Sequence, residues 1–148
     1  MPPIEGINKD GVFAFRTLDD TRELLKRSGE GVRAVVIGGG LLGLEAARGL
    51  QVQGCDVTVV HIAQMLMERQ LDPTGGAYLV EKLNALGVNV LCGRQTAAIL
   101  GDEGVTGVRF ADGTELDAQL VVVAAGIRPN VELGLRAGAH VAVRQGPG

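Results

Sequence analysis

"VRAVVIGGGLLGLEAARGL" occupies residues 32–50. Its residues 34–37 are a continuous apolar run, Ala34-Val35-Val36-Ile37, rich in β-branched side chains. Such a run predicts a strand buried on both faces. Three glycines follow, and helical spacing then carries residues 41–53 to Gly54. Glycine is a poor choice at that junction unless the backbone itself is wanted. The pattern is G-x-G-x-x-G at Gly38, Gly40 and Gly43, between a strand and a helix, the one setting in which it carries a mechanism. Gly38 permits the tight turn out of the strand. Gly40 lets an anion approach the backbone, and Gly43 lets the helix lie close on the strand. The N–H groups of Leu41 and Leu42 then sit at the positive helix end, facing that anion. The alternative is a tight strand-to-helix turn that binds nothing.

Outward from this stretch, the chain reads as alternating strands and helices. Towards the N-terminus, residues 12–15 are extended, Thr17 caps a helix over residues 18–27, and Asp19 and Asp20 stand in its positive first turn. Towards the C-terminus, "DVTVVHI" (56–62) is a second buried strand. Asp72 and Pro73 open a helix to residue 86, with Leu79, Leu83 and Leu86 on one face, and "VNVLC" (88–92) is a third strand. A β-α-β-α-β series with right-handed crossovers makes a parallel sheet. The grammar then changes. "TAAIL", "VTGVRF" and "TELD" are short strands parted by Asp102-Glu103-Gly104 and Asp112-Gly113, which are hairpin signals. "QLVVVAAG" (119–126) returns to the parallel sheet. The expected fold is α/β, a Rossmann-like parallel sheet with a three-stranded antiparallel meander.

The dinucleotide fingerprint expects an Asp or Glu at the end of the second strand to bind the ribose 2′-hydroxyl of NAD. His61 holds that place. Neutral imidazole bonds a hydroxyl, whereas imidazolium favours the 2′-phosphate of NADP, and an exposed histidine with no ligand role is the third possibility. Glu68 and Arg69, in the loop beyond, add selectivity of either sign or are simply solvated. Glu45, two residues past Gly43, is either a carboxylate in the positive first turn of the helix or a group facing the nicotinamide end.

Composition bounds the rest. The 148 residues suit one domain with a real core, and 46 % are hydrophobic. Without tryptophan, and with one tyrosine and three phenylalanines, that core is aliphatic. A net charge of −3, with no basic block, disfavours nucleic acid. No apolar run nears the roughly 18 residues of a membrane span. Cys55 and Cys92 are far apart and form no redox pair, so a reducing, cytoplasmic setting fits. No metal-ligand cluster and no catalytic constellation is read from the chain.

"VVIGGGLLGLEAA" with "LVVVAAGIRPN" downstream resembles the NAD(P)H-binding domain of FAD-dependent pyridine nucleotide oxidoreductases. The resemblance covers essentially the whole chain and includes the lead-in "GVFAFRTLDD" and the element Ala125, Gly126, Pro129, Asn130. Within that family, "GGGLLGLEAARGLQ" followed by "MLMERQLDPTGGAYL" is most similar to the nitrite reductase (NAD(P)H) large-subunit branch of nitrate assimilation. The resemblance implies a pyrophosphate held by Gly38, Gly40, Gly43 and the Leu41 and Leu42 amides, with Glu45 and Gly126 near the nicotinamide and its ribose. It implies a domain inserted in an FAD domain. Residues 1–10 are then a linker from that missing FAD domain, residues 11–140 the NAD(P)H-binding domain, and residues 141–148 a tail leading back. FAD is expected only in a full-length protein, and the chain alone is expected to be inactive. NADH and NADPH both stay open. The alternatives are a rubredoxin or ferredoxin reductase-type flavoprotein, or a module that senses NAD(H) without catalysis. The Gly75-Gly76 pair, at a helix start that it should weaken, has no account in the sequence.

Overall fold

The computed structural model describes residues 4–126 and 131–140. Five parallel strands form the central sheet: β1 (Val12–Ala14), β2 (Arg33–Ile37), β3 (Asp56–Val60), β4 (Val88–Leu91) and β8 (Leu120–Val123). Their order is β1-β8-β2-β3-β4. The helices are α1 (Leu18–Arg27), α2 (Leu41–Val52), α3 (Pro73–Ala85) and the short α4 (Glu132–Arg136). A separate antiparallel sheet contains β5 (Thr96–Leu100), β6 (Gly107–Phe110) and β7 (Glu115–Asp117), in that order.

Alternation along the central strands explains why they read as unbroken apolar runs. Ala34 and Val36 of β2, Val57 and Val59 of β3, and Leu120 and Val122 of β8 pack with Ala46, Ala47 and Leu50 of α2, Leu83 of α3 and Leu24 of α1. Val35, Ile37, Val60 and Val121 point the other way, onto Ile99, Val108 and Phe110 of the meander. The parallel sheet is therefore covered by helices on one face and by a second sheet on the other. A strand between two apolar layers has no face for polar residues.

Helix starts follow their local chemistry. Thr17 and Asp20 form a capping box, with the Asp20 N–H donating to the Thr17 hydroxyl at 3.1 Å and the Thr17 N–H donating to the Asp20 carboxylate at 2.9 Å. The Gly75 N–H donates to Asp72 Oδ1 at 2.7 Å to open α3. Thr17→Ala is expected to cost about 1 kcal/mol, read in urea as a lower midpoint with an unchanged slope.

Several segments depart from expectation. The strand over residues 12–15 joins the parallel sheet as an edge, Val12 to Ala14 pairing with Val121 to Val123. Residues 4–10, read as linker, have partners. Ile4 is buried, the Glu5 N–H donates to the Ala97 carbonyl at 3.2 Å, and the Ile99 N–H donates to the Glu5 carbonyl at 2.8 Å. An isolated Ile-Glu pair carries no strand signal, because its partner lies some ninety residues away in β5. Leu86, expected beside Leu83 on the apolar face, is the C-cap of α3 and is exposed, since the chain turns there into Gly87. The Gly75-Gly76 pair lies against two side chains, Met65 and Asp72. Gly76 is buried, and a Cβ there would lie 2.7 Å from Met65 Cε; one at Gly75 would lie 3.2 Å from Asp72 Oδ1. Pro129, Asn130 and residues 141–148 lie outside the described residues.

Candidate functional site

Ile37 pairs with Val60 on one side and Val123 on the other, so three central strands end level. Beyond those ends opens a cavity of about 680 Å³. This is where open α/β sheets bind ligands, at the carboxyl ends of strands whose connections run in opposite directions. The size suits a drug- to cofactor-sized molecule.

Gly38 and Gly40 line its floor and Gly43 lies beneath it, and each meets a different surrounding. Gly38 has φ +123°, and a Cβ there would lie 2.6 Å from the Ala124 carbonyl oxygen. A Cβ at Gly43 would overlap the Gly38 carbonyl oxygen, so close packing of α2 on the strand end depends on its absence. Gly40 is the opposite case: a Cβ would meet nothing within 4 Å, because the residue borders the cavity. Leu41 and Leu42 line the cavity as well.

Helix α2 differs from the other two long helices in one respect. Thr17 caps α1 and Asp72 caps α3, but Gly40 offers α2 no side-chain acceptor, and its first turn holds no acid. The first N–H groups of a helix have no partner within it. Here they open, uncapped by side chains, on a cavity. That arrangement suits an anion. Thr96 adds a second unmet group: it lines the cavity, and its buried Oγ1 has no hydrogen-bond partner among the described residues. A phosphate-bearing ligand fits the cradle above Gly40.

His61 lines the cavity, and it is not the exposed strand-end histidine of the third possibility. It is buried, at 9 % exposure, and both ring nitrogens are engaged. Nδ1 accepts the Gly39 N–H at 3.1 Å, and Nε2 lies 2.9 Å from Glu68 Oε2. Hydrogen bonding from His61 holds the Glu68 carboxyl below the usual glutamate range, partly opposed by burial. Glu68 and Arg69 both line the cavity.

Gly126 lines it too, at φ +94° with open space beside it. Glu45 does not: it is exposed on α2, and Gly43, though buried, acts beneath the cavity floor. Among the lining residues that the motif did not signal are Gly39, Arg16, Arg94 and Gln95. Gly39 was within reach of sequence reasoning as the middle of three consecutive glycines. The others come from the ends of β1 and β4, which only folding brings near. Cys55 and Cys92 are both free, and burial pushes the Cys92 thiol up, which keeps it protonated at neutral pH. Among the described residues, no helix is long and apolar enough to cross a membrane.

The fold and its cavity define a nucleotide-binding α/β domain, and comparison gives the lineage. The chain belongs to the pyridine nucleotide-disulphide oxidoreductase family, whose profile matches residues 1–146. Among curated relatives it is 53 % identical over 139 residues to a nitrite reductase [NAD(P)H] of Bacillus subtilis, covering 94 % of this chain and 17 % of that one. The chain thus spans about a sixth of that relative's length. Among solved structures, the covalent putidaredoxin reductase–putidaredoxin complex matches at a TM-score of 0.88 and 31 % identity, covering 96 % of this chain and 35 % of that one. An FAD-dependent pyridine nucleotide-disulphide oxidoreductase from Desulfovibrio vulgaris matches at 0.80 and 34 %, covering 93 % and 36 %.

Proposed function

We propose that this chain binds NAD(P)H and orients it for hydride transfer to FAD, as the pyridine-nucleotide domain of a flavoprotein of the nitrite reductase large-subunit type. The observation that carries the reading is the uncapped start of α2 over an open Gly40, at the floor of a 680 Å³ cavity. Gly38, Gly40 and the Leu41 and Leu42 amides take the pyrophosphate. Gly126 stands towards the nicotinamide end. Bound nicotinamide supplies the hydride and a flavin accepts it; the chain's own part is to hold and aim the donor. The relatives named nitrite reductase support this parent over a ferredoxin reductase-type flavoprotein, because the nitrite reductase of Bacillus subtilis shares 53 % of aligned residues, against 31 % for the putidaredoxin reductase complex. The flavin domain of the parent protein is the natural partner, and two free thiols suit a reducing, cytoplasmic compartment.

Titration of the purified chain with NADH, followed by calorimetry, tests this. Saturable binding with a Kd below about 1 mM is expected, since the pyrophosphate cradle alone supplies charge-assisted hydrogen bonds. ADP-ribose, which keeps the pyrophosphate and lacks the nicotinamide, should compete. A folded chain that shows no saturation, and no competition by ADP-ribose, would overturn the proposal.

A further inference from the structure

The outer wall of the cavity is the loop that follows β3, and its course depends on Gly39. The Gly39 N–H donates to His61 Nδ1 at 3.1 Å, and the Gly39 carbonyl accepts the Met67 N–H at 3.1 Å. A Cβ at Gly39 would collide with Leu66 and lie 2.8 Å from His61 Cγ; Leu66 itself is fully buried. Met67 adopts φ 53°, among the described residues the only non-glycine in that region. A side chain enters that conformation when its surroundings impose it, and such residues gather at functional sites. The residue delivered by this turn is Glu68.

The imidazole then decides how Glu68 is presented. Because Nδ1 accepts a backbone N–H, the proton of the neutral ring is on Nε2. Nε2 therefore donates to Glu68 Oε2 at 2.9 Å. An ionised carboxylate has about four acceptor sites, so this bond orients the group and leaves it capacity for another donor. The side chain is 41 % exposed and lines the cavity. The dinucleotide fingerprint wants an acid at the end of β3. Here a buried histidine occupies that place and brings up a carboxylate from seven residues further on.

We propose that Glu68, held by His61, receives the 2′-hydroxyl of the adenosine ribose and repels a 2′-phosphate, so that the chain selects NADH over NADPH. This rests on the dinucleotide reading above. Three cations also line the cavity: Arg16, Arg69 and Arg94. Arg94 is paired with Asp112 across the β6–β7 turn. Arg69 is the competing determinant, since a guanidinium beside the ribose would welcome a 2′-phosphate.

The test compares the Kd values of NADH and NADPH for the wild-type chain, Glu68→Gln, Glu68→Ala and Arg69→Gln, each first checked by circular dichroism. Wild type should favour NADH. Both Glu68 variants should move the NADH-to-NADPH ratio towards NADPH by about tenfold or more, because a like-charge repulsion is removed. Arg69→Gln should not move it that way. A wild-type preference for NADPH, or a ratio within about twofold of wild type in both folded Glu68 variants, overturns the assignment while leaving dinucleotide binding intact. A wild-type chain that binds neither cofactor defeats the dinucleotide reading itself, which is a separate outcome.

Discussion

Gly43→Ala is expected to lower the melting temperature by roughly 2–12 °C, a large effect for a single methyl group. The added Cβ would overlap the Gly38 carbonyl oxygen, which belongs to the backbone and cannot rotate away. Gly38 in turn is fixed by its own N–H, which donates to the Val60 carbonyl at 2.8 Å, and by close approach to Ala124. Relief would require α2 to lift from the ends of β2 and β8, and with it Ala46, Ala47 and Leu50 from the helix-side core. Overpacking of this kind typically costs a few kcal/mol. For a domain of this size, each kcal/mol lowers the midpoint by about 2–4 °C. Differential scanning calorimetry reads it directly, and an unchanged melting temperature would mean that α2 has room that the structure denies.

Gly40→Val should leave the fold nearly intact and abolish dinucleotide binding. A Cβ at Gly40 meets nothing within 4 Å, and the residue's φ of −88° is open to any side chain. Valine is a poor N-cap, so a stability loss of about 1 kcal/mol is expected. Binding is another matter. Two methyl groups would stand where the pyrophosphate must reach the Leu41 and Leu42 amides, and a weakening of about 100-fold or more in Kd for NADH should follow, some 2.7 kcal/mol. The contrast between the two glycines is the informative result. One motif position is expected to act on the fold and the other on the ligand. Gly40→Val binding NADH as tightly as wild type would remove the pyrophosphate from this loop.

Much of the architecture was legible because its causes are local. The Thr17 capping box, the Asp72-Pro73 helix start, the turn glycines and the apolar runs of β2 and β3 all signal within a few residues of themselves. Helix α1 begins and ends where the pattern put it, at Leu18 and Arg27. The strand expected over residues 119–126 was too long at both ends: β8 leaves the sheet after Val123, where Ala124 must pass close beside Gly38. The meander's first strand begins at Thr96, as read, but its second starts only at Gly107, because Val105 and Thr106 are used in bonds to Asp10 and Leu100. Such shortening reflects partners distant in sequence.

The candidate site divides along the same line. By itself the sequence determined that a glycine-rich strand-to-helix turn lies in a parallel α/β sheet. That property belongs to residue type and spacing, and it is the basis for the proposed anion site at Gly40, Leu41 and Leu42. Only the tertiary structure decided what His61 does. An imidazole at a strand end faces water or the interior according to what covers it, and here Leu66, Gly39 and the left-handed turn at Met67 cover it. Burial obliges both ring nitrogens to find partners. One accepts the Gly39 N–H and the other donates to Glu68, so the cavity presents an oriented carboxylate that no spacing rule in the sequence places there.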